Sequence, residues 1–323
     1  MRTLVTAAGL AHDAAKFLRF RRAMGVQYLR GEFVLNGFVQ FVAEQWGWRA
    51  DVALDEAIGR WLSRKTGRKP VTVGLEFGVV RQLCLYRRRE DPSGYVPEHA
   101  LAPVKESHYI PYIFSRDEVT RMLQVASSHR GRWIWARMLR TLMLVLYCTG
   151  LRLGEAVRLR MEDVDLRRGT FLIPHSKGRS RIVPFRPDLA QELRQYLHAR
   201  HEILERLGVS EPRALFIRLD GTPLTVKSAS DALRRLLRQL SMKPPAGRVG
   251  ARPYEFRHAF AVHRLTAWAE ARVDMHAKLP WLSAYLGHQD VLGTEVYLKA
   301  TPQLLQLASQ RFRRHLRSAG PVE

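Results

Sequence analysis

Cysteine is scarce in this chain of 323 residues, which contains only Cys84 and Cys148. A disulfide framework or a thiolate zinc site is therefore not expected, and the composition suits a reducing, cytoplasmic environment. Long apolar runs are also missing, since the longest is Leu142–Cys148, whereas a membrane-spanning helix needs about 20 residues. The sequence has no P-loop, no HExxH zinc motif and no visible carboxylate cluster of a two-metal nuclease. These absences argue against membrane proteins and ATP-driven motors, and they predict no metal and no cofactor.

A signal peptide is not expected at the N-terminus either. Arg2 precedes a short apolar stretch, but His12, Asp13 and Lys16 interrupt this stretch early. The pattern is typical of the start of a helix rather than of a secretory segment.

Acidic residues are outnumbered by basic ones. Lys and Arg total 53 against 30 Asp and Glu, which gives a net charge of +23 at pH 7 and a pI of about 10.9. Such a positive field attracts polyanions. Hydrophobic residues make up 46% and charged residues 26%, which is typical of a folded globular protein. The composition therefore predicts a globular protein that binds an anionic polymer.

The order of patterns along the chain predicts two domains of a mainly α fold with a small β-hairpin or sheet. Apolar residues recur at helical intervals through residues 1–95, and prolines interrupt the following segment, 96–112, which is typical of an extended linker. A capping box at Ser115–Glu118 begins the second domain, residues 113–323. A β-hairpin is predicted within residues 170–184. Helices are predicted at about 54–64, 75–88, 135–147, 189–207, 226–240, 256–271, 281–286 and 303–316.

Clusters of basic residues are candidates for contacts with a polyanion. A solvated surface is the alternative interpretation of each cluster. For the turn at Arg64–Pro70, the large net charge keeps phosphate contact open beside that interpretation. The candidate phosphate-binding residues are Arg64, Lys65, Arg68, Lys69, Arg87, Arg88, Arg89, Arg179 and Arg181.

Four short segments of the second domain carry residues with useful chemistry. Taken singly, each has an ordinary structural interpretation, such as a salt-bridged arginine, a solvated lysine or a core tyrosine. The four segments are Thr149–Glu155 (TGLRLGE), the hairpin turn with Lys177, Glu255–His258 (EFRH), and Leu286–His288 (LGH) with Tyr297 nine residues later.

In this order and spacing, the segments resemble the tyrosine recombinase (phage integrase) family from about Ile110 to the C-terminus. The segment Tyr109–Glu118 is similar to the domain entry of transposase-like members from mobile elements. The resemblance implies a helical core-binding domain, or DNA clamp, in residues 1–95 and a mixed α+β catalytic domain with a C-terminal helix in residues 113–323. It implies a site-specific recombinase, integrase or transposase that cleaves and rejoins double-stranded DNA through a 3′-phosphotyrosyl intermediate, without metal or ATP. It further implies a homo- or hetero-tetramer of recombinases on two DNA sites.

The resemblance also assigns roles to individual residues. Arg152 and Arg257 would hold the scissile phosphate, to which His288 would donate a further hydrogen bond. Lys177 would protonate the leaving 5′ oxygen, and Tyr297 would be the nucleophile. The chemistry suits these residue types, because a guanidinium matches phosphate geometry and offsets the charge that grows in the transition state.

Three further residues lie close in sequence to the proposed phosphate-binding arginines, Arg152 and Arg257. By resemblance, Glu155 orients the arginine or the histidine and is not a metal ligand. The family usually has a histidine three residues before the second arginine, and this chain has Tyr254 there. A neutral phenol is a poor proton acceptor but still hydrogen-bonds phosphate, so a slower or assembly-dependent enzyme is expected. His258 is one residue beyond Arg257, about 100° around a helix, and is expected to point elsewhere in a structural role.

Other functions stay open at this stage. A catalytically weak or inactive DNA-binding accessory protein of the same fold is favoured by Tyr254. A type IB topoisomerase shares the chemistry but relaxes supercoils without pairing sites. The C-terminal helix, at about 303–316, either packs on its own domain or exchanges with a neighbouring subunit.

Overall fold

Helices carry most of the regular structure in the computed structural model, which describes residues 3–99, 111–127, 133–176, 179–247, 250–288 and 290–299. The chain divides into two units, Met1–His108 and Tyr109–Glu323. Small antiparallel sheets complete each unit. The mainly helical fold with a small sheet is therefore as predicted, and none of the described helices is long and apolar enough to cross a membrane.

The first unit packs its helices around Phe38, Val42, Ile58 and Trp61, all buried. Two strands of two residues each were not predicted, because such short segments produce no alternating pattern. They pair antiparallel, with Val5 opposite Val52. The elements are β1 (Leu4–Val5), α1 (Ala7–Ala23), α2 (Leu29–Trp46), β2 (Val52–Ala53), α3 (Leu54–Ser63) and α4 (Pro70–Arg87).

The second unit is organised around one apolar helix, α6, as the sequence predicts. Leu142, Met143 and Leu146 of this helix are fully or nearly fully buried. The elements are α5 (Arg116–Ser127), α6 (Trp133–Thr149), α7 (Leu153–Val157), β3 (Val164–Asp165), β4 (Thr170–Ser176), β5 (Arg179–Pro184), α8 (Pro187–Leu207), α9 (Val226–Gln239), α10 (Glu255–Glu270), α11 (Met275–Leu286) and α12 (Leu292–Lys299).

The predicted hairpin is confirmed as β4 and β5, to which the unpredicted β3 adds a third antiparallel strand. Phe171 pairs with Val183 facing the core, and Leu172 pairs with Ile182 on the exposed face. This alternation is the pattern of a sheet with one buried side. Ile173 pairs with Arg181. Lys177 lies between the two strands in sequence, outside the described residues.

Helix boundaries agree with the local signals, with four exceptions. Helix α4 begins at Pro70, five residues before the predicted start, and the short helix α7 was not predicted. The capping box is confirmed, since Ser115 Oγ accepts from the Glu118 amide at 3.1 Å and Glu118 accepts from the Ser115 amide at 2.8 Å. Helix α11 begins at Met275, six residues before the predicted start, because Pro280 is accommodated inside it. Helix α12 was not predicted. The predicted helix at 303–316 lies outside the described residues.

Candidate functional site

The structure brings four of the five predicted catalytic residues together from four separate elements. Arg152 precedes α7, Arg257 lies in the first turn of α10, His288 follows α11 and Tyr297 belongs to α12. Helix α10 packs against both α11 and α12. The fifth residue, Lys177, lies outside the described residues.

Arg257 joins three of these elements. Its side chain is 1% exposed, and it donates to the carbonyl of Gly150 at 2.8 Å and to that of Leu286 at 2.7 Å. Nη2 also lies 2.8 Å from Nε2 of His288. Burial, together with the neighbouring Arg152, lowers the pKa of Arg257. The guanidinium is therefore held rigidly where an anion would relieve a concentration of positive charge.

Gly150 allows this close packing. Its φ of 63° lies in the left-handed region, and an added Cβ would stand 2.5 Å from Cδ1 of Phe260 and 2.9 Å from Cδ2 of Leu286. Both the backbone conformation and the space therefore require glycine. The glycine of the TGLRLGE segment, Gly150, is therefore a structural part of the site.

Arg152 is the residue that caps α7, with extended backbone angles. Its amide donates to Glu155 Oε2 at 3.0 Å, and its Nη1 donates to Oε1 of the same carboxylate at 2.7 Å. Nη2 reaches the carbonyl of Gly287 at 3.2 Å. Glu155, with its side chain 4% exposed, thus holds both the backbone and the guanidinium of Arg152.

His288 has a defined tautomer in this arrangement. Arginine has donors only, so Nε2 of His288 accepts from Arg257. The ring proton is then on Nδ1, which donates to Thr294 Oγ1 at 2.7 Å. For His288 to donate through Nε2 to a phosphate, as the family resemblance implies, Nε2 must become protonated, by ring protonation or a change of tautomer, and must give up the bond from Arg257.

Tyr297 is buried, with 2% of its surface exposed, in a cluster with Phe260, Leu282 and Leu286. Burial raises the pKa of the phenol, while the charge of Arg257 and a hydrogen bond from its side chain oppose the rise. The phenol is therefore protonated at neutral pH, and its use as a nucleophile requires a proton acceptor.

His258 corrects a prediction. It does not point away from the site, since its ring lies edge-on 5.3 Å from that of Tyr297 and 4.9 Å from that of Tyr254. Burial, with the charges of Arg257 and Arg252, lowers its pKa to about 4. Its Nδ1 is buried and has no hydrogen-bond partner among the described residues. The imidazole therefore stands beside the phenol, with its Nε2 3.5 Å from the buried carboxylate of Glu255. The helical angle could not reveal this, because Tyr297 comes from another helix.

The pKa of His258 leads to a stability prediction. A folded-state pKa below the unfolded value means that the stabilisation is complete above about pH 6.5 and is lost as the pH falls towards 4. Between pH 7 and pH 4.5, the wild type should lose about 2–3 kcal/mol of unfolding free energy more than His258→Gln loses. Urea denaturation at both pH values measures this difference. His201→Gln, at a site with its side chain 64% exposed, is the control that should follow the wild type, and equal losses in all three proteins would contradict the prediction.

Tyr254 occupies the position where the family usually has histidine, and it is 43% exposed. It is close enough to Tyr297 for the two phenols to interact electrostatically. An imidazole at this exposed position should titrate near its ordinary value of about 6.5. For the strand cleavage that the resemblance implies, we expect Tyr254→His to raise the rate about tenfold or more above that pH, because it adds a general base. Single-turnover cleavage across pH 5.5 to 8 measures this, and an unchanged or abolished rate would contradict it.

Four of the arginines predicted to bind DNA are paired with carboxylates. Arg64 donates to Glu76 at 2.7 Å, and Arg68 bonds to the same carboxylate. Arg87 donates to Asp13 at 2.8 Å. Arg181 is bonded to Glu155. These pairings make the four side chains parts of the packing rather than a solvated basic surface.

The other basic candidates differ in their surroundings. Lys65, Lys69, Arg88 and Arg89 are exposed, and the guanidinium of Arg89 lies 4.8 Å from the ring centre of Phe20. The backbone of Arg179 begins β5, and its side chain is outside the described part of the structure. Within the described residues, no group of three or more His, Cys, Asp or Glu side chains is placed to hold a metal ion.

Comparison with known sequences points to one family. The model of the phage integrase family matches residues 113–303. A putative integrase/recombinase of Sinorhizobium fredii, y4rB, is 30% identical over 304 residues, covering 93% of this chain and 95% of that protein. The tyrosine recombinase XerA of Thermococcus kodakarensis is 30% identical over 277 residues, covering 85% of this chain and 87% of its own length.

Solved structures share the fold at lower identity. A XerH site-specific recombinase bound to a palindromic difH substrate, in a post-cleavage complex, has a TM-score of 0.67 and 18% identity, covering 95% of this chain and 85% of that one. The Tn1549 transposon integrase in complex with transposon right-end DNA has a TM-score of 0.67 and 15% identity. The match covers 95% of this chain and 99% of the integrase chain. At identities this low, the likeness establishes only that the fold is shared.

Proposed function

We propose that this chain, which belongs to the phage integrase family of tyrosine recombinases, cleaves and rejoins double-stranded DNA through a phosphotyrosyl intermediate. The observation that carries the proposal is the convergence of Arg152, Arg257 and His288 around one buried tyrosine. Two guanidinium groups, an imidazole and one nucleophilic phenol are groups suited to phosphoryl transfer without a metal.

In the proposed reaction, the Tyr297 oxygen attacks the scissile phosphorus and loses its proton, and the bond from phosphorus to the 5′ oxygen breaks. Lys177 gives the leaving oxygen its proton, which leaves a 3′-phosphotyrosyl bond and a 5′ hydroxyl. Arg152 and Arg257 offset the negative charge on the non-bridging oxygens. The ring of His258 lies beside the phenol with its Nδ1 unpartnered among the described residues, which supports His258 as the proton acceptor. Its lowered pKa makes it a weak base, in keeping with the slower enzyme expected from Tyr254. Attack by a 5′ hydroxyl reverses the steps, so the bond energy is conserved and rejoining needs no ATP.

Double-stranded DNA is the proposed substrate. The net charge of +23 supports a polyanionic partner, and the XerH and Tn1549 integrase structures contain DNA. We assign residues 1–95 as the DNA clamp, with the exposed Lys65, Lys69, Arg88 and Arg89 as its phosphate contacts, and residues 113–323 as the catalytic domain. Affinity should then fall with salt, with a log–log slope of about −0.9 for each phosphate neutralised. A recombinase tetramer acting for a mobile element completes the proposal.

The test uses a pool of nicked duplexes with randomised sequence. After incubation and denaturation in detergent, DNA that stays attached to the protein is sequenced, and the attached peptide is identified by mass spectrometry. We expect a recovered site and a 3′-phosphate on Tyr297. Binding without attachment would overturn the proposal in favour of a DNA-binding accessory protein. Relaxation of a supercoiled plasmid that lacks the recovered site would favour a type IB topoisomerase.

A further inference from the structure

We propose that Arg181 is a positioning residue for strand cleavage, which acts on Arg152 through Glu155 and does not contact DNA. The inference rests on the proposed function and assigns a role to a residue that the sequence favoured as a phosphate contact. Its experiment therefore includes a measurement that does not depend on cleavage.

The contacts of Arg181 define a fork around one carboxylate. Nη2 donates to Glu155 Oε2 at 2.8 Å, and Nη1 donates to Oε1 at 3.3 Å. Arg152 Nη1 donates to the same Oε1 at 2.7 Å. Glu155 thus lies between two guanidinium groups, with its side chain 4% exposed and that of Arg181 12% exposed. Only a small part of the Arg181 side chain is therefore open to solvent.

The electrostatic consequence concerns Arg152. A buried carboxylate needs a partner, and here two cations share the single negative charge of Glu155. Because Arg181 supplies part of that neutralisation, Arg152 retains positive charge for a phosphate. Without Arg181, the negative charge of Glu155 would be offset mainly by Arg152. The guanidinium of Arg152 would then be drawn towards the carboxylate and away from the substrate.

The position of Arg181 is itself fixed by the end of α11. Nε donates to the carbonyl of Tyr285 at 3.0 Å. Gly287 has φ of 69°, and a Cβ there would stand 2.7 Å from Nη1 of Arg181, so the glycine leaves room for the guanidinium. The carbonyl of the same Gly287 accepts from Arg152. Arg181 therefore ties β5 to the LGH segment on one side and to Arg152, through Glu155, on the other.

The experiment compares Arg181→Gln and Arg181→Lys with the matched control Arg186→Gln, just beyond β5, where the side chain is 83% exposed. On the recovered DNA site, Arg181→Gln should bind within about twofold of the wild type and with the same salt slope, because no phosphate contact is lost. Its single-turnover cleavage rate should fall about 10²-fold, as expected when a catalytic group is displaced by about 1 Å. Arg181→Lys should recover part of the rate, since it restores the charge but not the fork. Arg186→Gln should cleave like the wild type.

A substrate with sulfur in place of the leaving 5′ oxygen separates two routes of action, because a thiolate leaves without needing a proton. Lys177→Ala should be rescued by this substrate, whereas Arg181→Gln should not. Rescue of Arg181→Gln to the wild-type rate would overturn the inference, because Arg181 would then act through Lys177. Weaker binding with a shallower salt slope and an unchanged cleavage rate would also overturn it, in favour of a DNA contact.

A double-mutant cycle with Glu155→Gln tests the coupling without any cleavage assay. The combined effect of Arg181→Gln and Glu155→Gln on the unfolding equilibrium constant should be smaller than the product of the single effects by about fivefold or more, as for groups in direct contact. Multiplicative effects would overturn the inference. If Arg181→Gln does not fold, Arg181→Lys takes its place in the cycle. Failure of the wild type to attach to DNA would instead refute the proposed function, and the cycle would still decide whether Arg181 acts on Glu155.

Discussion

Tyr297→Phe should bind DNA as tightly as the wild type and form no covalent adduct with it. The substitution removes only the phenolic oxygen, and the ring continues to fill the cluster with Phe260, Leu282 and Leu286. Since the proposed nucleophile is lost, no phosphotyrosyl bond should form. The measurement is detergent-resistant retention of a nicked duplex, with affinity determined in parallel by fluorescence anisotropy.

A second tyrosine in the same cluster provides the matched control. Tyr285 stacks on Phe260 with 5.5 Å between ring centres, and its hydroxyl donates to the carbonyl of Pro184 at 2.9 Å. Tyr285→Phe also removes a phenolic oxygen, with a loss of about 1 kcal/mol of stability for the hydrogen bond, and it should still form the adduct. An adduct of undiminished yield with Tyr297→Phe would contradict the assignment of the nucleophile.

Arg257→Lys should lower the single-turnover cleavage rate about 10²- to 10³-fold, the usual effect of removing one aligned donor from a transition state. One guanidinium reaches the Gly150 carbonyl, the Leu286 carbonyl and His288 Nε2 at the same time. An ammonium is a compact point charge that cannot span these three acceptors, and it loses its proton more readily when buried. The elements that carry Arg152 and His288 would lose a shared anchor as well.

The matched control for this substitution is on the same helix. Arg264 is exposed on α10, 6.0 Å from the ring centre of Phe260, and Arg264→Lys should cleave at the wild-type rate. Urea denaturation of both variants separates loss of folding from loss of catalysis. If Arg257→Lys remained folded and cleaved as fast as the wild type, Arg257 would not be the group that offsets phosphate charge.

Local signals were sufficient for much of the fold. The capping box at Ser115–Glu118, the hairpin of β4 and β5, and the long helix α6 each depend on residues close together in sequence. Their hydrogen bonds and apolar periodicity are therefore visible without the rest of the chain. Where the local signal was weak, as in β1 and β2, or misleading, as at Pro280, the prediction failed.

For the candidate site, the sequence predicted which segments take part but not which side chains contact one another. The order of TGLRLGE, EFRH and LGH with the later tyrosine indicated the family, because these segments each keep a recognisable local form. Which side chains lie against Tyr297 was not visible, since α12 approaches α10 from elsewhere in the chain. His258 was therefore misjudged from the geometry of its own helix, although its ring contacts the tyrosine.

The excess of positive charge shows most clearly what the sequence determines and what the tertiary structure decides. The sequence by itself determined that the protein carries +23 and that a polyanion is the expected partner, because total charge needs no fold. Only the tertiary structure decided which cations remain at the surface, as Lys65 and Lys69 do, and which are held by carboxylates, as Arg181 is. An arginine on a strand has the same local sequence whether it meets solvent or a buried glutamate. The partner comes from a distant part of the chain, and packing alone brings the two together.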